Sequence, residues 1–105
     1  MAMQLSEAAG VLDGRLAGND VTFTGISTDT RTLPAGALFF ALRGPNFDGH
    51  AYIEAARARG AAGAAVSEPC TAALPHITVA DTRLALGQLA ADWRRRFDIP
   101  VIGIT

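Results

Sequence analysis

No lysine occurs among the 105 residues; all nine basic side chains are arginine. That absence excludes two chemistries from this stretch. A P-loop needs its lysine on the phosphates, and Schiff-base catalysis needs an amine. Cysteine is almost absent too. Cys70, beside Pro69, is the single thiol, so no disulfide can close within the chain, which fits a reducing compartment. Nothing around Cys70 supplies the base or electropositive setting of a nucleophile. An excess of one charge is missing: the net charge is −1, which favours neither nucleic acid nor an anionic membrane. The one basic run, Arg94-Arg95-Arg96, reads as a solvated helix end where cations complement the helix dipole. No stretch approaches the roughly 18–20 apolar residues of a membrane span. Residues Met1 to Glu7 lack the basic-then-apolar pattern of a secretory leader. A cytoplasmic protein without membrane insertion is expected.

What is present is a core. Half of the residues are apolar, which excludes a disordered chain. Ser6, ahead of Glu7-Ala8-Ala9 and Val11-Leu12, predicts a short capped helix. Asp13-Gly14 and Gly18-Asn19-Asp20 are turn signals. The alternation from Val21 to Ile26 predicts a strand. Pro34-Ala35-Gly36 predicts a turn with proline at its second position. Leu38-Phe39-Phe40-Ala41-Leu42, bounded by Gly36 and Gly44, is the continuous apolar run of a strand buried on both faces. Residues 44–49 predict a loop. His50 to Arg59 predicts a helix with Tyr52, Ile53 and Ala56 on one face and Gly60 as its stop. Ala64-Ala65-Val66 and His76-Ile77-Thr78-Val79 predict short strands. Asp81 then caps a longer helix whose apolar stripe is Leu86, Leu89, Ala90, Trp93 and Phe97. After Pro100, residues 101–105 predict a further strand. Strands alternating with helices predict an α/β domain. A strand of buried type is expected to lead somewhere, so the sequence reads as the leading part of a longer protein.

Two polar clusters could bind a ligand. Ser27-Thr28-Asp29-Thr30-Arg31 leaves a predicted strand with hydroxyls, a carboxylate and a guanidinium in five residues. Hydroxyls there can bond a polar ring or phosphate, and arginine can fork onto an anion. The same residues can equally satisfy their own turn, with Asp29 on nearby N–H groups and Arg31 on Asp29. The second cluster runs from Gly44 to His50, where glycines let backbone N–H groups approach a ligand closely. Asn46 offers both a donor and an acceptor. Phe47 is either a stacking ring or core. His50 is either a phosphate ligand or base, or a polar residue at a helix start. His76 lies in a separate strand, so no pair with zinc spacing forms. Asp81-Thr82-Arg83 reads as a helix cap. No nucleophile–base–orienter set is present, and no catalytic residue is assigned.

Together, Ser27-Thr28-Asp29-Thr30-Arg31, Pro34 to Gly44 and Phe47-Asp48-Gly49-His50 resemble the N-terminal domain of Mur ligases, which build the peptide stem of peptidoglycan. The resemblance continues through Ala55 to Ser67, Val79 to Ala90 and Ile102 to Thr105. The full Ser-Thr-Asp-Thr-Arg pattern, with the uninterrupted run from Asp81 to Pro100, is similar to the branch that adds D-alanyl-D-alanine. The branch adding the third stem residue is the first alternative. A stand-alone nucleotide-sugar-binding module is the second. The resemblance implies a small mixed sheet with flanking helices. Residues 1–80 would hold the UDP end of UDP-MurNAc-tripeptide. Residues 81–105 would be the opening helix and strand of the ATPase domain, ending before its P-loop. ATP, Mg²⁺ and D-Ala-D-Ala would bind beyond this chain, which would be inactive alone and hold no cofactor or metal. The implied uridine contacts are Thr28, Thr30 and the loop Pro45-Asn46-Phe47, shaped by Asp48, Gly49 and His50, with Ser27 and Arg31 in the first cluster. Detached from its domain, the 86–97 stripe is expected to pack on a second copy of the chain or on residues 1–80.

Overall fold

The computed structural model describes residues 2–44, 47–68 and 74–97. Its centre is a five-stranded mixed sheet made of β2 (Arg15–Ala17), β4 (Gly25–Ser27), β5 (Ala37–Phe40), β8 (Gly63–Val66) and β9 (His76–Thr78). Their spatial order is β2-β9-β8-β5-β4. β4, β5, β8 and β9 run parallel, and β2 pairs antiparallel with β9 at one edge. Two small antiparallel pairs flank the sheet: β1 (Met3–Gln4) with β3 (Thr22–Phe23), and β6 (Arg43–Gly44) with β7 (Phe47–Asp48). The helices are α1 (Leu5–Leu12), α2 (Ile53–Ala58) and α3 (Thr82–Phe97).

The apolar run at 38–42 does what its composition requires. All four residues of β5 are buried. Side chains of a strand alternate between faces, and the core divides accordingly. Leu38 and Phe40 join Leu5, Ala8, Leu12, Ala85 and Leu89 on the face covered by α1 and α3. Ala37, Phe39 and Ala41 join Ile53 and Ala56 of α2 on the other. The mixed sheet with flanking helices is therefore the expected architecture.

The helix ends are legible as chemistry. Asp81 Oδ1 accepts the N–H groups of Arg83 at 2.9 Å and Leu84 at 3.2 Å, so Asp81 is the predicted cap. Gly60 stops α2 with φ 92°, its N–H on the Arg57 carbonyl and that of Ala61 on the Ala56 carbonyl. That pair of bonds is a Schellman ending.

Several local expectations are corrected. Ser6 does not cap α1. Its N–H and hydroxyl both donate to the Asp20 carboxylate, at 2.9 and 2.7 Å, so a distant acid serves the helix N-terminus. These bonds hold the Asp20 carboxyl below its ordinary range. The strand expected over 21–26 divides at Thr24, where the chain exchanges β1 for β5 as its partner. Pro34 stands first, not second, in its turn: its carbonyl accepts the Ala37 N–H at 3.2 Å, and Gly36 takes φ 87° in the third place. The helix expected from His50 begins instead as a 3-10 turn, Gly49–Tyr52, followed by α2. Where a plain loop is expected over 44–49, Arg43–Gly44 and Phe47–Asp48 pair antiparallel as β6 and β7. The strand expected at 101–105 and the thiol of Cys70 lie outside the described residues.

The stripe on α3 packs on residues of the same chain, the second of the two expected arrangements. Its buried centre is Ala85, Leu89 and Asp92, with Leu86, Trp93 and Phe97 partly covered and Ala90 exposed. Trp93 lies 5.5 Å from Phe23 and 4.7 Å from Phe97, centroid to centroid. The buried Asp92 is tolerable because Arg95 and Arg96 bond its carboxylate. Burial pushes that carboxyl's pKa up, and the two arginines more than offset it. Arg96 also reaches Glu7 of α1 at 3.0 Å, clamping the two helices. Thr82 Oγ1 fixes the other end of α3 by donating to the Ala41 carbonyl at 2.9 Å.

Candidate functional site

Parallel strands bring the loops at their carboxyl ends together along one edge, the usual place for ligands in such sheets. Here that edge carries residues 28–31 after β4 and the β6–β7 pair and 3-10 turn after β5. Between them lies a cleft of about 370 Å³, lined by Thr28, Asp29, Thr30, Arg31, Phe39 and Tyr52. Phe39, only 1 % exposed, is its apolar floor. Thr28, Thr30, Arg31 and Tyr52 are the polar residues around it beside Asp29.

The turn-satisfying reading of the first cluster holds for Asp29, Arg31 and Ser27. Asp29 and Arg31 satisfy each other. Asp29 Oδ1 accepts the Arg31 backbone N–H at 2.9 Å and Nε–H at 3.1 Å, and Oδ2 accepts Nη2–H at 2.9 Å. Ser27 Oγ is spent on the turn, accepting the Asp29 N–H and donating to the Asp29 carbonyl, each at 3.2 Å. Arg59 donates to the Arg31 carbonyl at 3.0 Å and ties the turn to the end of α2. The alternate residues Thr28 and Thr30 are left lining the cleft.

Hydrogen bonding from the Arg31 side chain, then from its backbone N–H, lowers the Asp29 pKa from 3.8 to about 2. A carboxyl depressed on folding stabilises the turn at pH above its unfolded value. That contribution is lost as pH falls from about 4 toward 2. An NMR titration of the Asp29 carboxyl should show a midpoint near 2, returning toward 3.8 in Arg31→Gln. An unshifted midpoint in the unmodified chain would refute the fork.

The second cluster is placed less directly. Pro45 and Asn46 lie outside the described residues, and Phe47 is on β7. Asp48, Gly49 and His50 are not among the residues lining the cleft. Asp48 Oδ1 accepts the His50 N–H at 3.0 Å and stands 2.7 Å from Nδ1. The Ser67 N–H donates to His50 Nε2 at 3.0 Å, so the ring accepts at Nε2 and donates from Nδ1 to Asp48. The His50 backbone N–H, then its ring, then Arg43 hold the Asp48 carboxyl below its ordinary range. Gly49 is buried against the backbone of Ala41 and Leu42. These three residues build a rigid corner.

Asp48, His50 and Glu68 bring one ligand atom each within 4.8 Å of one another, a spacing that a cation could use. Both His50 nitrogens are engaged, however, and Arg43 Nη2 already bonds both carboxylates. A guanidinium supplies the positive charge that this trio needs.

Sequence reasoning misses Tyr52. Helical spacing puts it on the same face as Ile53 and Ala56, which are buried at 6 % and 0 % exposure, whereas Tyr52 is 44 % exposed and lines the cleft. The signal lies in Asp48-Gly49, which starts a 3-10 turn and rotates position 52 off the core face.

A cleft at the carboxyl edge of a parallel sheet, floored by an aromatic residue and lined by threonines and an arginine, is of the kind in which α/β domains hold small molecules. Residues 22–94 match the description "Mur ligase family, catalytic domain", and the chain belongs to the Mur ligase family. Over 105 residues it is 42 % identical to UDP-N-acetylmuramoyl-tripeptide–D-alanyl-D-alanine ligase of Escherichia coli (strain K12), covering 100 % of this chain and 23 % of that protein. It is 38 % identical to UDP-N-acetylmuramoyl-L-alanyl-D-glutamate–2,6-diaminopimelate ligase of Geobacter metallireducens, covering 98 % of this chain and 21 % of the relative. The crystal structure of MurF from Acinetobacter baumannii superposes with a TM-score of 0.81 at 32 % identity, over 91 % of this chain and 22 % of that one. The chain thus spans less than a quarter of the length of these relatives. No helix among the described residues is long and apolar enough to cross a membrane.

Proposed function

We propose that this domain holds the UDP end of UDP-MurNAc-tripeptide for an ATP-dependent ligase that adds D-Ala-D-Ala to the stem peptide in the cytoplasm. The observation that carries this reading is the cleft after β4. Its Thr28 and Thr30 are the residues that the family pattern implies for uridine, in a chain 42 % identical to the Escherichia coli D-alanyl-D-alanine ligase. Thr28 and Thr30 bond the uridine, with Asn46, which lies between Pro45 and Phe47 in the sequence, adding amide bonds. Arg31, oriented by Asp29, offers its outer edge to the diphosphate, and Ser27 holds the turn. Asp48, Gly49 and His50 act as the corner that supports the cleft. The domain holds substrate and does no chemistry on it. Residues 81–105 lead into an ATPase domain that binds ATP and Mg²⁺ and supplies the P-loop lysine that this chain lacks.

Calorimetry on the chain should show heat of binding for UDP and for UDP-MurNAc-tripeptide. ATP should not displace either. Thr30→Val should weaken UDP binding by one hydroxyl bond, about 0.5–1.5 kcal/mol. Displacement of UDP by equimolar ATP would assign the cleft to the wrong nucleotide. The relative from Geobacter metallireducens supports a second reading, the ligase adding the third stem residue. Assaying the longer protein with D-Ala-D-Ala against diaminopimelate separates the two.

A further inference from the structure

We infer that Asp81-Thr82-Arg83 is a joint through which α3 holds one wall of the cleft in place, with Thr82 as its positioning residue; the inference rests on the reading of the cleft as a nucleoside-diphosphate site. Two polar or charged residues are buried among those described, Thr82 at 4 % exposure and Asp92 at 6 %. Asp92 is served within its own helix, by Arg95 and Arg96. Thr82 reaches another element: its hydroxyl donates to the Ala41 carbonyl at 2.9 Å, across 41 residues of sequence. Capping α3 needs only Asp81, which accepts the Arg83 and Leu84 N–H groups. The threonine beside it has a separate task.

Thr82 acts on the segment that leaves β5, and so does the cleft. Ala41 is 0 % exposed, so its carbonyl needs a partner inside the protein. The next carbonyl, of Leu42, accepts the Gly49 N–H at 2.6 Å, and Arg83 Nη2 lies 3.5 Å from the one after, of Arg43. Three consecutive carbonyls are thus engaged, the outer two by the start of α3 and the middle one by Gly49. Gly49 opens the 3-10 turn Gly49–Tyr52, and that turn brings position 52 to the cleft. A Cβ on Gly49 would lie 2.7 Å from the Leu42 nitrogen and 2.9 Å from the Ala41 carbonyl carbon, so the turn and the end of β5 touch through backbone and shift together. Phe39, the cleft floor, stands two residues before Ala41 in the same core cluster. Thr82 is therefore joined to floor and wall through one segment, although it does not itself line the cleft.

The test is UDP binding, by calorimetry and NMR, to the parent chain and to folded Thr82→Val, Thr82→Ser and Leu89→Ala. Valine keeps the shape of threonine and loses the donor. It should weaken UDP about threefold to tenfold, because losing one hydrogen bond lowers the population of the competent wall by about that factor. Serine keeps the donor and should bind within about twofold of the parent. Leu89→Ala lowers stability at a distance from the joint, so its folded form should bind UDP as the parent does. In the parent chain, UDP should also shift the Thr82 amide and methyl resonances, less than those of residues 28–31, since coupling between two sites is reciprocal. Parent-strength binding by folded Thr82→Val, equal losses in Thr82→Val and Leu89→Ala, or unmoved Thr82 resonances at saturating UDP overturn the joint and leave the proposed function intact. No UDP binding by the folded parent chain removes the proposed function itself, and this inference with it. Where Thr82→Val fails to fold, the Thr82 resonances of the parent chain decide the question.

Discussion

Leu89→Ala is expected to destabilise the fold by about 2–5 kcal/mol. Leu89 is 0 % exposed and packs with Leu5, Ala8 and Leu12 of α1 and Leu38 and Phe40 of β5. Truncation removes buried methyl groups and leaves a cavity between two helices and a sheet that cannot close freely. Because domains of this size are stable by only about 5–15 kcal/mol, the loss is a large share of the total. Leu84→Ala, at a position 62 % exposed on the same helix, should change stability by no more than about 0.5 kcal/mol. Urea unfolding of both variants checks the pair. Equal midpoints would mean that α3 does not contribute its apolar face to this core. The comparison bears on organisation: residues 82–97 pack as a layer of the domain even if the polypeptide beyond them serves another.

Gly49→Ala should cost about 1–3 kcal/mol, the range for forcing extra atoms into a packed site. A Cβ at this position would lie 2.7 Å from the Leu42 nitrogen and 2.9 Å from the Ala41 carbonyl carbon and Cα. All three are backbone atoms of the segment leaving β5, so no side chain can swing aside. The turn would have to move, taking Tyr52 with it, and UDP affinity should fall with stability. Gly10→Ala is the control. Gly10 sits in α1, where an added Cβ would meet nothing within 4 Å, and alanine there should stabilise by about 0.5–1 kcal/mol through helix propensity. Thermal melts of the two variants should move in opposite directions. A Gly49→Ala melt at or above the parent's would show that the corner is not tight.

What can be read in the sequence is whatever local chemistry decides. The apolar run of β5, the Asp81 cap and the Gly60 stop depend on residues near in sequence, and each appears where its composition puts it. What cannot be read depends on distant partners. Arg15–Ala17 has no strand signature of its own and becomes β2 because β9 offers it an edge. Ser6 looks like a cap until Asp20 arrives from the far side of β2. Helical spacing on α3 assigns Ala90 to the core; Asp92 is buried instead because Arg96 can neutralise it while reaching Glu7. The site follows the same division. Thr28 and Thr30, which line the cleft, are singled out by the family resemblance, since composition alone leaves the cluster open between a ligand and its own turn. Tyr52 is not, because a 3-10 turn and a continuous α-helix from His50 differ by a small rotation that only Asp48, Ser67 and Leu42 together decide.

The most direct test is an amide-resolved NMR titration of the 105-residue chain with UDP. Shifts centred on residues 28–31, 39 and 52 are the predicted result, and they would place nucleotide binding in the cleft after β4. A folded chain that shows no shifts at millimolar UDP, or shifts centred instead on α3, would contradict the assignment of this cleft as the nucleotide site.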